Sequence, residues 1–385
     1  MRILIYLDNA ATTFPKPNSV YNKTFFGIQK YGANPGRSGH DLSIKTSEII
    51  YDTREKIKDF FGAEKTENVA FTLNCTMAIN MGIKGVLRKG DHVVISNLEH
   101  NAVSRPVEKL KNRSMIEYTV AHVVEGNDDL TLENFKKAIQ PNTKLVVCTH
   151  ASNVFGIKTP IQKIGKMCSK AGIIFMVDAA QTAGICKINM RENNINILCV
   201  APHKGLYSLM GTGIIITDCP ELMTTIIEGG TGSSSLSLIQ PRIMPDMLES
   251  GTQNVAGIIS IKHGIEAVEG IGVSKIAQHE MGLVQYIYNF MNKENKIILY
   301  TEFPKLDTHV PVLSFNIMGS DSEDTVMKLN KEGFALRGGI HCAPLAHISH
   351  KTDKIGTVRV APSMFTTNNE IEKFCFCIKK IIKEL

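Results

Sequence analysis

Two side chains that follow successive apolar segments have the types that cofactor chemistry requires. Asp178 comes directly after the apolar residues 173–177, and Lys204 follows the next apolar segment, residues 197–200. Because ligands of open α/β sheets bind beyond the carboxyl ends of the strands, both side chains are expected at one edge of a sheet. Taken singly, an aspartate that caps a turn and a surface lysine would explain them. Together they indicate pyridoxal 5'-phosphate (PLP), which needs a lysine for its Schiff base and a carboxylate beside its pyridine nitrogen.

A phosphate group needs donors, and one segment predicts them. A helix is expected to begin near residues 74–78, with Thr76 in its first turn, where backbone N–H groups are free to bind anions. Glycine-rich segments at residues 229–232 and 251–252 could add contacts, although most such glycines form turns. His100 follows the apolar segment 93–96. It could lie on a cofactor ring and shuttle protons, or it could be bonded within a loop.

Cys342 differs from the other cysteines of the chain. There are nine, an odd number in a long chain without CxxC spacing, which argues against a disulfide scaffold and a zinc site. Most lie in apolar segments, whereas Cys342 lies in the glycine-rich loop 337–344 with Arg337 and His341 nearby. Both neighbours are expected to favour the thiolate, which is the nucleophilic form. The alternative is an idle loop cysteine.

Alternating strand-like and helical patterns predict the framework around these residues. Apolar segments without alternation are typical of parallel strands that are covered on both faces, so the first two thirds predict an α/β domain. Thr159 is the predicted N-cap of one helix and Gly172 its stop signal. The predicted strands are residues 93–96, 144–149, 173–177, 197–200 and 213–217, followed by 312–317 and 357–360, and the predicted helices are 103–112, 131–139, 160–171, 255–270, 273–291 and 369–382.

Composition is that of an ordinary globular protein. The chain has 385 residues, of which 43% are hydrophobic and 21% charged, with a net charge of +6 spread along it. The densest basic run, at residues 379–383, fits a solvated helix face, so nucleic-acid binding is not predicted. The apolar start is too short for a secretory signal, and no apolar run is long enough to span a membrane. We therefore expect a cytoplasmic protein without a metal site.

The motifs together resemble the cysteine desulfurase/selenocysteine lyase family of the class V aminotransferases, which are PLP enzymes of fold type I. The resemblance implies a large domain with a mainly parallel seven-stranded sheet and a smaller α+β C-terminal domain. It assigns residues 14–258 to the large domain, and residues 1–13 and 259–385 to the small one. The matching blocks are residues 6–13, 99–102, 152–156, 178–184, 203–206, 249–252, 337–343 and 356–359.

The resemblance implies a role for each matching residue near the cofactor. Lys204 would hold PLP covalently, Asp178 would pair with the pyridine nitrogen, and Gln181 would contact the ring hydroxyl. His100 would stack on the ring, with Thr76, Cys75 and His203 at the phosphate. Thr252 would reach the phosphate of a neighbouring subunit, which implies a homodimer. The chain departs from the family pattern at Asn74-Cys75 and at Ala201-Pro202, where a serine usually contacts the phosphate.

The implied substrate-binding set is Asn153, Arg359, Arg337 and Asn9, in which Asn153 and Arg359 hold the substrate carboxylate. The implied reaction converts L-cysteine to L-alanine and leaves the sulfur on Cys342 as a persulfide. Lys204, Cys342 and His100 are the catalytic residues in this interpretation. The short cysteine loop implies that a sulfur-acceptor protein, or a small thiol, comes to the site.

Three other interpretations are open at this level. Selenocysteine lyase would use the same residues on L-selenocysteine, and an aminotransferase would share the fold with a different reaction. A non-catalytic sulfur carrier or scaffold is the third, although an intact Lys204 and Asp178 argue against it. The destination of the sulfur is equally open among iron–sulfur clusters, thiolated tRNA and selenium metabolism.

Overall fold

A computed structural model of the protein describes residues 4–36 and 39–385. Residues 1–3, which belong to the predicted small domain, lie outside this range. The strands are β1 (Ile5–Tyr6), β2 (Val69–Thr72), β3 (Asp91–Ser96), β4 (Ile116–Ala121), β5 (Thr143–Thr149), β6 (Ile174–Asp178), β7 (Ile197–Val200), β8 (Gly213–Thr217), β9 (Ile297–Leu299), β10 (Leu313–Ile317), β11 (Phe334–Ala335) and β12 (Val358–Val360). The helices are α1 (Asn18–Lys30), α2 (Asp41–Phe61), α3 (Cys75–Val86), α4 (Asn101–Asn112), α5 (Asp128–Ala138), α6 (Ile161–Ala171), α7 (Val255–Ile271), α8 (Val273–Met291), α9 (Ser322–Lys331), α10 (Pro344–Ser349) and α11 (Asn368–Glu384).

Seven strands form one large sheet in the order β2-β8-β7-β6-β5-β3-β4. Strand β8 is antiparallel to both of its neighbours, and the pairs from β7 to β4 are all parallel. The predicted fold class, a mainly parallel seven-stranded sheet, is therefore confirmed. Every residue of β6, β7 and β8 is buried, as expected for strands that helices cover on both faces.

The two faces of this sheet carry separate hydrophobic clusters. Val177 and Leu198 point to the face on which α2, α6 and α7 pack, and Met176 and Ile197 point to the face covered by α3 and α4. This alternation follows from the two-residue period of a strand, which sends neighbouring side chains to opposite faces. The layering fixes the sheet so that loops at its carboxyl edge can carry the functional side chains.

A second, smaller unit is built mainly from the C-terminal residues. Strands β12, β10 and β9 form an antiparallel sheet, and its hydrophobic cluster includes residues of α8 and α11. Ile5 and Leu7 belong to this same cluster, and β1 pairs in parallel with β11. The elements match the predicted α+β unit, and the exact domain boundaries stay a prediction. In the part of the chain that the structure describes, no helix combines the length and the apolar character that crossing a membrane requires.

One predicted helix boundary is half right. Gly172 ends α6 in the left-handed conformation at φ +66°, as a C-terminal glycine should. The N-cap position, however, belongs to Pro160, no side chain caps the helix, and Thr159 Oγ1 is buried without a partner in the described chain. The prediction of Thr159 as N-cap is wrong because the helix begins at Ile161, so that Pro160 occupies the N-cap position.

A buried ion pair joins three parts of the large unit. Arg54 of α2 holds both carboxylate oxygens of Glu249 at 2.6 Å, and Glu249 also accepts a hydrogen bond from the backbone N–H of Phe71 in β2. Arg54 and Glu249 are almost inaccessible to solvent. Glu249 therefore anchors the start of the matched block 249–252, which contains the predicted phosphate contact Thr252, to the sheet.

Replacing Arg54 by methionine should leave the Glu249 carboxylate buried without its cation. We expect the free energy of unfolding, measured by urea denaturation, to fall by about 3–5 kcal/mol. The control is Asp52→Asn, which removes an exposed pair with Lys262 and should cost less than about 1 kcal/mol. Equal losses in the two variants would contradict a structural role for the buried pair.

Candidate active site

A cavity of about 120 Å³ lies at the carboxyl edge of the parallel strands. Its walls come from the start of α3, the beginning of α4 and the segments that follow β5, β6 and β7. The structure therefore brings most of the predicted site residues to one place. Those that line the cavity are Lys204, Asp178, Gln181, His100, Thr76, Cys75, His203 and Asn153.

Lys204 lies in a turn that close backbone packing fixes. A Cβ on Gly205 would come within 2.3 Å of the carbonyl oxygen of Ala183, so only glycine fits there. Burial lowers the pKa of Lys204, and the carboxylate of Asp178 partly opposes this shift. A lysine whose amine loses its proton more easily than usual is suited to form a Schiff base.

An N-terminal segment holds this turn by its carbonyl groups. The carbonyl oxygen of His203 accepts hydrogen bonds from Thr13 N–H at 3.3 Å, Thr12 Oγ1 at 3.2 Å and Lys16 Nζ at 3.1 Å. Thr13 Oγ1 donates to the carbonyl of Lys204 at 2.9 Å. Lys16 is buried, and burial lowers its pKa to about 8. Sequence reasoning assigned no role to these three residues, although two of them lie within the matched block 6–13.

Asp178 is a buried carboxylate with a defined orientation. Its Oδ1 accepts a hydrogen bond from Ala180 N–H at 2.9 Å and lies 3.8 Å from Cys75 Sγ. Burial raises the pKa of Asp178, and the Lys204 amine acts in the opposite direction. A protonated pyridine nitrogen is the kind of cation that would stabilise this carboxylate in its ionised form.

The start of α3 offers donors for an anion. Asn74 is the N-cap and accepts from Met77 N–H, while the backbone N–H groups of Cys75 and Thr76 find no acceptor among the described residues. Gly213 of β8 lets the sheet approach this point, because a Cβ there would lie 2.3 Å from the carbonyl carbon of Asn74. The site thus contains a lysine amine, a buried carboxylate and a helix N-terminus, and these groups fit PLP.

His100 is a neutral ring beside the lysine. Burial and then the charge of Lys204 lower the pKa of His100 to about 4. Its Nδ1 accepts from Ala102 N–H at 3.0 Å, so the neutral ring carries its proton on Nε2. The next residue, Asn101, donates its backbone N–H to the carbonyl of Cys342 at 2.7 Å. The segment that carries His100 is therefore bonded directly to the cysteine loop.

The cysteine loop is held in an unusual backbone conformation. His341 and Cys342 are both left-handed, at φ +49° and +58°. The carbonyl of His341 accepts from Asn153 Nδ2 at 2.7 Å, and its ring Nε2 lies 2.9 Å from the carbonyl oxygen of Thr357. Because such conformations persist only where the surroundings hold them, these bonds determine where the thiol lies.

The expectation that His341 would promote the thiolate is wrong. Burial, followed by the charge of Arg359, lowers the pKa of His341 to about 2, so this ring is neutral near pH 7. Arg337 remains as the cationic neighbour, with Nη2 3.8 Å from Cys342 Sγ. Sequence adjacency could not distinguish a buried histidine from an exposed arginine.

Arg359 does not line the cavity and is almost completely buried. Its Nη1 donates to the carbonyl of Asn153 at 2.9 Å, and its Nη2 donates to Asp8 Oδ1 at 2.6 Å. Arg359 and Asn153 are thus in contact, as residues that would share one carboxylate should be. Asp8 was not assigned a role by sequence reasoning.

Five predicted residues do not line this cavity: Cys342, Arg337, Arg359, Asn9 and Thr252. The Asn9 side chain accepts a hydrogen bond from Phe14 N–H and donates one to the carbonyl of Ala361, and Asn9 lines a second cavity that Lys204 and Gln181 also line. Thr252 is exposed and does not line the cavity of Lys204. A role for Thr252 toward a second copy of the chain stays a prediction.

Glu99 is a buried carboxyl that the motif analysis left without a role. It accepts from Thr149 N–H at 2.8 Å and from the hydroxyl of Ser96, and so it joins the ends of β5 and β3. Burial raises the pKa of Glu99 to about 8. The only sign in the sequence that Glu99 has a role was its position directly before His100 in a matched block.

Known proteins resemble this chain over nearly its whole length. The family model for the class V aminotransferases matches residues 5–374. A "Probable cysteine desulfurase" of Borreliella burgdorferi is 30% identical and covers 100% of this chain and 93% of its own length. One of Methanothermobacter thermautotrophicus is 31% identical and covers 97% of this chain and 93% of its own length.

Solved structures show the same fold. The apo structure of a cysteine desulfurase from Thermococcus onnurineus superposes with a TM-score of 0.91 at 29% identity, covering 99% of this chain and 95% of its own. The cysteine desulfurase CsdA of Escherichia coli has a TM-score of 0.88 at 22% identity, over 99% of this chain and 95% of its own, which is evidence for the fold alone.

The charge of Lys204 should control the titration of His100. In a Lys204→Met variant the pKa of His100 should rise from about 4, because one nearby cation is removed, yet stay below its usual value because the ring remains buried. NMR titration of the histidine rings measures this. The control is His92, whose pKa is lowered mainly by burial and should not change. An unchanged His100 would contradict the proximity of the two groups.

Proposed function

The chain belongs to the class V aminotransferase family, and we infer that within it the protein is a PLP-dependent cysteine desulfurase that converts L-cysteine to L-alanine. The observation that carries this inference is the cysteine loop. The backbone carbonyl of Cys342 accepts a hydrogen bond from Asn101, the residue after His100, and the carbonyl of His341 accepts one from Asn153. His100 and Asn153 line the same cavity as Lys204. An aminotransferase would have no use for a thiol held there. The names of the relatives favour desulfuration over the selenocysteine lyase alternative.

The residues that would hold PLP are those whose contacts fit it. Lys204 would bind it covalently, Asp178 would stabilise its protonated ring nitrogen, and Thr76 with the first turn of α3 would bind its phosphate. Gln181 and His100 would contact the ring, and Cys75 and His203 would complete the pocket. When bound, PLP supplies an electron sink that weakens the bonds around the Cα of the amino acid.

The chain's own groups would then act at defined atoms. Arg359 and Asn153 orient the substrate by its carboxylate. Lys204 Nζ, whose pKa burial lowers, takes the Cα proton, and His100 Nε2 is the group that exchanges a proton near the sulfur.

The sulfur-transfer step needs no added oxidant, because its atoms and electrons balance. The Cys342 thiolate attacks the substrate sulfur, so an S–S bond forms as the Cβ–S bond breaks. The electron pair of the broken bond stays with the carbon and is protonated, which gives L-alanine. The sulfur remains on Cys342 as a persulfide. Arg337 Nη2 lies 3.8 Å from Cys342 Sγ, so a cation stands beside the attacking sulfur.

We also propose a homodimer. The segment 233–243 carries apolar side chains that are fully or largely exposed, with Leu236 at 102% and Leu238 at 104%. Exposed apolar groups of this kind mark an interaction surface. Thr252 lies exposed nearby in the sequence, and in a dimer it would reach the partner's phosphate site.

The sulfur would pass from Cys342 to an acceptor protein or a small thiol. The nine cysteines are all unpaired, which fits the reducing cytoplasm as the proposed location.

Cys342→Ala should separate cofactor binding from sulfur transfer. The purified variant should keep the cofactor absorbance, because Lys204 and Asp178 are intact, and lose at least about a hundredfold in alanine release from L-cysteine. Cys186→Ala, which changes another partly buried cysteine, is the control and should behave as wild type. Mass spectrometry should find the extra sulfur on Cys342 after turnover. Wild-type rates in Cys342→Ala would exclude Cys342 as the acceptor.

Paired substitutions Leu236→Asp and Leu238→Asp should convert the protein from dimer to monomer in sedimentation velocity, because charges cannot be buried in an apolar interface. Replacing the exposed Met327 on α9 by aspartate is the matched control and should leave the dimer intact. A wild-type monomer, or a dimer that survives the paired substitutions, would contradict the proposed interface.

A further inference from the structure

The arginine proposed for the substrate carboxylate is held by an acid of the N-terminal segment. Asp8 Oδ1 accepts from Arg359 Nη2 at 2.6 Å, and the Arg359 side chain is only 2% exposed. The two residues are 351 positions apart in the chain. The ion pair is therefore a feature of the tertiary structure, and no local motif predicts it.

The backbone around Asp8 is fixed independently of the ion pair. Asp8 forms a parallel β-bridge with Ala361, two residues beyond Arg359, and Ala361 N–H donates to the carbonyl of Leu7 at 2.8 Å. Arg359 N–H donates in turn to the carbonyl of Arg337 at 2.9 Å. Because both backbones are held, the carboxylate of Asp8 meets the guanidinium in one geometry.

The charges around Arg359 require such a partner. Burial and the charge of Arg337 both lower the pKa of Arg359, whereas Asp8 raises it. Two arginines flank the cysteine loop, and Asp8 supplies the negative charge that stabilises the buried one. The charges of Arg359 and Asp8 shift the pKa of the Lys204 amine in opposite directions, Arg359 downward and Asp8 upward.

We propose that Asp8 is a positioning residue: it fixes the Arg359 guanidinium against Asn153 so that this pair recognises the carboxylate of the amino-acid substrate. The proposal rests on the proposed function, in which Arg359 holds that carboxylate. Without the Asp8 charge, the guanidinium loses its ion pair while the repulsion from Arg337 remains. Recognition of ligands that carry a carboxylate would then weaken, while recognition of an amine alone would not.

The test compares ligands that differ only in the carboxylate. Binding of L-alanine and of ethylamine to the PLP-loaded protein is followed by the change in cofactor absorbance, first in wild type and then in Asp8→Asn. We expect L-alanine binding to weaken about tenfold or more in the variant, with ethylamine binding unchanged. For L-cysteine turnover, the loss should appear in KM more than in kcat. Asp52→Asn, the same change in an exposed pair with Lys262, should alter neither ligand.

Equal weakening of L-alanine and ethylamine, or no weakening of L-alanine, would overturn the proposal, since a merely structural role affects both ligands alike. If Asp8→Asn does not fold, Asp8→Glu provides the comparison, with a loss of a few-fold expected for L-alanine alone. The two ligands contain no sulfur, so their binding is independent of desulfuration. A wild-type protein that binds L-alanine but releases none from L-cysteine would contradict the proposed function and leave the Asp8 comparison valid.

Discussion

The site depends on placing a buried amine and a buried carboxylate at the ends of adjacent parallel strands. Asp178 is the last residue of β6, and Lys204 lies in the turn after β7, the strand paired beside it. Each group is driven toward its neutral form by burial and toward its charged form by the other. This mutual dependence explains why the sheet, rather than a mobile loop, carries both groups, and why close glycine packing fixes the lysine turn.

The cysteine loop shares its supports with the rest of the site. Asn153 holds the carbonyl of His341 through its side chain, and its own carbonyl accepts from Arg359. Asn101 holds the carbonyl of Cys342. The position of the thiol and the position of the substrate-orienting arginine are therefore set by one connected group of hydrogen bonds, which explains how a loop with two left-handed residues can be kept in place.

Sequence patterns predicted five of the seven strands of the large sheet, without β2 and β4, and most helices, because these patterns are local. The rule for carboxyl ends predicted that Lys204 and Asp178 would meet, and the family resemblance implied the roles of His100 and Thr76. Sequence reasoning failed where the outcome depends on distant contacts. The neutrality of His341 follows from burial. The Thr159 error is local by contrast, since the adjacent Pro160 occupies the N-cap position. The hydrogen bonds that hold the His203–Lys204 turn come from Thr12, Thr13 and Lys16. They join residues far apart in the sequence, since Thr12 and His203 are separated by 191 positions. Asp8 and Glu99 were visible only as members of matched blocks, without a physical role.

The N-terminal segment has a consequence for how the protein is made. Residues 5–6 pair with β11 and therefore lack this partner until residues 334–335 have been synthesised, whereas residues 12–16 can hold the lysine turn once residues 203–204 have been made. The large sheet, from β2 to β8, can form earlier because its strands lie between residues 69 and 217. Assembly during translation would thus complete the hydrophobic core first and the reactive pocket last. A nascent chain would then acquire its chemistry only after the cysteine loop, residues 337–344, has been synthesised.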